Sequence, residues 1–156
     1  RAAGSRDGGL WCFPGGRSEA KDNYNLINTA LREAEEEAGI PREQLDVLGK
    51  LGACHDRVNS LITPVIAVLE GPFTPKMSDG EVSECVEIPL AAVLDKSRYA
   101  IRESQYNGQT GHYHQFHYAE AGRDIDVYGI SGGIMNYFRH FTNKERGPLD
   151  YRNEHP

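Results

Sequence analysis

Cysteine is scarce in this chain. Cys12, Cys54 and Cys85 are odd in number and widely spaced, which excludes a closed disulfide framework and a clustered zinc pattern and points to a reducing, intracellular compartment. No apolar run approaches the roughly 18 residues that would span a bilayer, so no membrane partner is expected. Basic charge is also short: 17 Lys and Arg stand against 23 Asp and Glu, a net charge of −6. That argues against a general nucleic-acid binder, which needs a basic patch. It leaves room for a phosphorylated small molecule, because a bound cation can outweigh the global sign locally. Internal repeats and low-complexity segments are absent. The chain opens on Arg1 rather than Met; an earlier strand, and any targeting signal, is expected to precede it. The last residues, Asn153-Glu154-His155-Pro156, are no peroxisomal address of the Ser-Lys-Leu kind. A length of 156 residues fits one domain with a real core. Residues 1–143 read as that domain and 144–156 as a polar tail.

The informative stretch is residues 13–40. Phe13-Pro14-Gly15-Gly16-Arg17-Ser18-Glu19 is followed, ten residues past Asp22, by Arg32-Glu33-Ala34-Glu35-Glu36-Glu37-Ala38-Gly39-Ile40. On a helix Glu33, Glu36 and Glu37 project within an arc of roughly 100°. Like charges at these spacings each cost about 0.2–0.5 kcal/mol, a sign that a divalent cation would reverse. Mg²⁺ and similar hard cations take carboxylate and carbonyl oxygens and usually arrive with a substrate phosphate. Ile27, Ala30, Leu31, Ala34 and Ala38 form an apolar stripe on another face. Asp22 or Asn23 can cap the helix start, Gly39 suits the residue after its end, and Pro41 stops it resuming. The bland alternative is a solvated acidic surface helix.

Along the rest of the chain, residues 10–13 read as a short buried strand with Trp11 and Phe13 in the core, and 24–38 as the acidic helix. Residues 45–54 and 61–69 read as strands, Pro64 marking an edge or a bulge. Loop 71–80 precedes a strand at 82–88, a helical turn at 90–94 and strands at 98–106, 112–118 and 125–128. A hairpin turn at 121–124 joins the last two. A second helix is expected at 131–141, capped by Ser131, with Ile134, Met135, Phe138 and Phe141 on one side. Gly132 and Gly133 would let that helix approach a ligand or a neighbouring strand closely. His112 and His114 share a strand face, with His117 opposite; the pair reads as a polar strand or a zinc site.

The segment resembles the signature of the Nudix hydrolases: Gly, five residues, Glu, seven residues, then Arg-Glu-U-x-Glu-Glu-x-Gly-U with U a bulky aliphatic. The match runs from Arg32 to Ile40, with the small Ala34 at the first U. In the first half Asp22 stands six residues after Gly16, and nine residues rather than seven separate it from Arg32. The lengthened spacer after Phe13-Pro14-Gly15-Gly16 is similar to the coenzyme A pyrophosphatase branch, as are residues 81–90 and 127–135. The branch's upstream Leu-Arg-x-His-x-Gly is echoed only faintly in residues 1–9, where Asp7 replaces the His. The resemblance implies an α/β/α sandwich with a mixed sheet and a metal-dependent diphosphatase using Mg²⁺ or Mn²⁺ on a small-molecule nucleotide. Coenzyme A or an acyl derivative is favoured, with ADP-ribose, dinucleoside polyphosphates or a non-catalytic binding module as alternatives, and a homodimer left open. It implies Glu36 and Glu37 as metal ligands, Glu33 as ligand or base, Arg32 as the group orienting a catalytic Glu, and an oxygen from Gly15 or Gly16. A further acid is expected at Glu81, with Glu84 competing. Glu19 and Asp22 bind metal through water or cap the helix. Gly15, Arg17 and Arg57 are expected to meet substrate, and Arg98 is a further phosphate candidate.

Overall fold

The computed structural model describes residues 9–56, 58–77, 82–106, 108–120 and 122–143. The chain divides into two compact units, Arg1–Glu87 and Ile88–Pro156, and shows the expected α/β class, helices with small sheets. No helix of the described residues is long and apolar enough to cross a membrane.

In the first unit a 3-10 turn, Ala20–Asp22, leads into α1, Leu26–Ala38. The cap of α1 is Asn25, whose side chain accepts from the N–H groups of Ile27 and Asn28, in place of the expected Asp22 or Asn23. Asn23 and Tyr24 both adopt positive φ, 54° and 53°, so the chain turns once more before the helix begins. Gly39 closes α1 in the left-handed region at φ 70°, as its sequence position implies. The helix buries Leu31 and Ala38 and lies against β4, Val65–Leu69.

β4 pairs antiparallel with β1, Leu45–Lys50; the register slips between Val47 and Gly49, which leaves Leu48 as a bulge 63% exposed. β2, Cys54–His55, pairs with β3, Leu61–Ile62. The strand expected over 61–69 is therefore two strands. Pro64 has no N–H to give a ladder and instead accepts from the Leu51 N–H at 2.9 Å. The Lys76 N–H donates to the Ala38 carbonyl at 3.0 Å and ties the loop before residue 78 to the end of α1.

The second unit opens with α2, Leu90–Leu94, as expected, followed by an antiparallel meander of β5, Tyr99–Tyr106, β6, Gln109–Glu120, and β7, Arg123–Tyr128. Alternation along β6 and β7 buries Phe116, Tyr118, Ile125 and Val127 on one face, and α3, Gly129–Thr142, packs there. A Cβ on Gly132 would stand 2.5 Å from the His114 carbonyl oxygen and 2.8 Å from that of Val127. Gly132 thus serves close helix–sheet packing.

Other expectations are corrected. Residues 10–13 form no strand: Trp11 is half-buried, Cys12 is exposed and Phe13 is 50% exposed. Residues 82–88 are likewise irregular. Both segments have strand-like composition without a ladder partner among the described residues, and composition alone does not make a strand. Ser131 is no cap; α3 starts at Gly129, with Tyr128 as its cap, and Ser131 is buried within its first turn. The buried side of α3 carries Met135, Asn136 and Arg139, while Phe141 is 66% exposed.

Candidate active site

The site grows from α1 and the loop before it. Asp22, only 3% exposed, directs both carboxylate oxygens at Arg32: Nε donates to Oδ1 at 2.8 Å and Nη2 to Oδ2 at 3.1 Å. The Glu19 N–H and the Thr29 hydroxyl each donate to Oδ2 at 3.0 Å. The Arg32 guanidinium, with burial opposing it, holds the Asp22 carboxyl well below the usual carboxylate range, and Asp22 in turn raises Arg32 above its own. Arg32 then reaches outward. Nη1 lies 2.8 Å from Glu33 Oε1 and 2.7 Å from Glu36 Oε2, and Nη2 donates to the Arg17 carbonyl at 3.2 Å. These contacts match the five N–H donors of a guanidinium. The side chain is 14% exposed, far from the loose surface pair that would contribute little.

Glu33 lies over the glycine loop. A Cβ on Gly16 would fall 2.1 Å from Glu33 Oε1, so only glycine lets the carboxylate settle there. Glu37 is buried and accepts from the Gly15 N–H at 3.1 Å. Glu36 is the open member, its side chain 51% exposed; it also meets Lys21 Nζ at 3.3 Å. Arg32 first and Lys21 second lower its carboxyl from the ordinary value.

The structure therefore brings together Gly15, Gly16, Arg32, Glu33, Glu36 and Glu37 in one unit. Arg17 contributes its carbonyl to Arg32, and its side chain is exposed. Arg57 and Glu81 lie outside the described residues; Glu84 is exposed. Arg98 is paired with Asp95 and Glu120. Asp22 is neither helix cap nor exposed ligand: it anchors Arg32. Sequence reasoning missed Thr29 and Lys21. Thr29 stands three residues before Arg32 on the same helix face, which was a readable signal; nothing in the sequence marked Lys21.

A helix bearing three carboxylates lies against a glycine loop and is locked by a buried Asp–Arg pair; these are oxygen donors of the kind that hard cations take. The NUDIX domain model matches residues 1–107, and the chain belongs to the Nudix family. It is 37% identical over 101 residues to an uncharacterized Nudix hydrolase NudL of Photorhabdus laumondii, covering 65% of this chain and 54% of that protein. To proteins of the same name from Yersinia pestis and Yersinia pseudotuberculosis it is 41% identical over 91 residues, covering 58% of this chain and 45% of theirs. The chain thus spans about half the length of the curated relatives it matches.

Proposed function

We propose that this chain hydrolyses the pyrophosphate bond of a nucleoside diphosphate derivative with the help of Mg²⁺ or Mn²⁺. The observation that carries the reading is Arg32, which is held by buried Asp22 and presents Nη1 to Glu33 and Glu36. A solvated surface helix gains nothing from such a clamp.

The donor set fits a hard cation. Three carboxylates leave one face of α1 beside a glycine whose missing Cβ makes room for one of them. Glu36 and Glu37 would hold the cation, with a main-chain oxygen of Gly16. When bound, the cation screens the phosphate oxygens and lowers the pKa of water. Glu33 joins the ligands or takes the proton from the attacking water as the new P–O bond forms and the bridging one breaks, releasing two monophosphates. Arg32 is a positioning residue for Glu33 and Glu36, and the Gly15 N–H fixes Glu37. Arg17 and Arg57 contact substrate phosphates, and Glu81 supplies a further acid, with Glu84 as its competitor. Coenzyme A or acyl-coenzyme A is the favoured substrate, on the likeness of the Phe13-Pro14-Gly15-Gly16 segment and its long spacer to the coenzyme A pyrophosphatase branch.

Product analysis tests this reading. The protein is incubated with coenzyme A, ADP-ribose and a dinucleoside polyphosphate, each with Mg²⁺, with Mn²⁺ and with a chelator. Metal-dependent release of phosphopantetheine and adenosine 3′,5′-bisphosphate from coenzyme A supports it. Cleavage of another compound keeps the reaction and discards the substrate; no cleavage of any favours a ligand-binding module.

A further inference from the structure

The first two histidines of β6 each face a different neighbour. His114 is buried, beside Asn136 of α3, and His112 leans toward Glu103 of β5. The histidine with metal-ligand company is His117. It pairs across the ladder with Asp126, and Asp124 stands two residues along β7 on the same face. His117 Nδ1 lies 3.1 Å from Asp126 Oδ1 and 3.7 Å from Asp124 Oδ1, and the three donor atoms fall within 4.8 Å of one another.

We propose that His117, Asp124 and Asp126 form a binding site for a borderline divalent metal of the Zn²⁺ class on the β6–β7 hairpin, built without any residue of α1. The chemistry of the donors selects the ion. Mg²⁺ favours all-oxygen shells and retains its water, whereas an imidazole nitrogen with two carboxylate oxygens suits Zn²⁺ or its neighbours in the first transition row. Bonds of about 2.0–2.2 Å around one such ion leave neighbouring ligands roughly 3–3.5 Å apart; the His117–Asp126 spacing of 3.1 Å meets this, and the exposed Asp124, 3.7 Å from His117, would close in by a small side-chain movement. Two paired strands in fixed register carry all three groups, so little backbone freedom is lost on binding. Asp124 and Asp126 are like charges on one sheet face, a repulsion that a cation removes.

Support for the ligands comes from outside the triad. Gln115 Nε2 donates to Asp126 Oδ1 at 2.5 Å, and Arg102 Nε donates to Gln115 Oε1 at 2.6 Å. This chain orients the carboxylate in the manner of an outer shell. Three protein donors leave a coordination position for water or an anion. His117 and Asp126 also line a cleft of about 680 Å³ that carries Arg98 and Arg102.

The test is calorimetric titration with Zn²⁺ in excess Mg²⁺, using the Glu33→Gln/Glu36→Gln/Glu37→Gln protein so that the candidate ligands of α1 do not contribute. One equivalent of Zn²⁺ is expected to bind. His117→Ala, at a half-exposed position, should abolish that binding without changing the circular dichroism spectrum. Gln115→Ala should weaken it about tenfold. Co²⁺ in place of Zn²⁺ should give a visible absorption band that His117→Ala removes. Absence of Zn²⁺ binding in the α1 variant, or equal binding after His117→Ala, would overturn the proposal. Neither result bears on the diphosphatase reading, because the site shares no residue with it.

Discussion

Asp22 and Arg32 act as one unit. The folded Asp22 carboxyl titrates far below the ordinary carboxylate value of about 3.9 that the unfolded chain keeps. The unfolded state therefore binds the proton more readily, and stability rises with pH wherever unfolded Asp22 is protonated. This contribution is complete above roughly pH 5 and is lost as the pH falls through 4 toward the folded value. Urea unfolding between pH 3 and 6, in chelator, should show a steeper pH dependence for the wild type than for Asp22→Asn, which should also be the less stable protein at pH 7. Equal slopes would mean that the pair does not matter to folding. Gly16 makes a separate prediction. A Cβ there would overlap the Glu33 carboxylate at 2.1 Å, and the flexible side chain would give way before the fold does. Gly16→Ala should keep its circular dichroism spectrum and lose about 10²-fold in kcat, since a misplacement of about 1 Å has that effect. Lys21 competes with a cation for Glu36 at 3.3 Å. Lys21→Met should tighten Mn²⁺ binding about twofold to fivefold, the range of a surface ion pair.

At the level of elements, glycines place the helices. Gly39 holds φ 70°, and a Cβ there would meet Lys76 Cβ at 2.7 Å. Gly39→Ala should destabilise the protein by about 1–2 kcal/mol, measured as a shift in the urea midpoint. The three helices were legible because each carries its own signal: the apolar stripe of α1, the Pro89 start of α2, and the glycines and spaced apolar residues of α3. The meander was legible from its hairpin turn and from alternation along β6. Residues 10–13 and 82–88 misled for one reason, that a strand needs a partner and a partner is not a local property. The start of α1 was misplaced by two residues because Asn23 and Tyr24 take left-handed conformations that their identities do not demand. Within the site, the acids of α1 and Gly16 were readable from spacing. The anchoring role of Asp22 was not, because the long spacer hid its return to Arg32.

For the molecule as a whole, the low basic content and the acidic balance favour a cation as the mediator in the proposed binding of a phosphorylated ligand. Bound Mn²⁺ should therefore stabilise the folded chain, by about 2.7 kcal/mol at a hundred times its dissociation constant, and the thermal midpoint should rise accordingly. The central claim is that the carboxylates of α1 hold the cation that hydrolysis requires. Its most direct test is Mn²⁺ binding and coenzyme A turnover measured side by side on wild type and on Glu36→Gln/Glu37→Gln, with folding checked by circular dichroism. The account predicts a folded variant that has lost the Mn²⁺ site and most turnover. A folded variant that hydrolyses coenzyme A at the wild-type rate would contradict it.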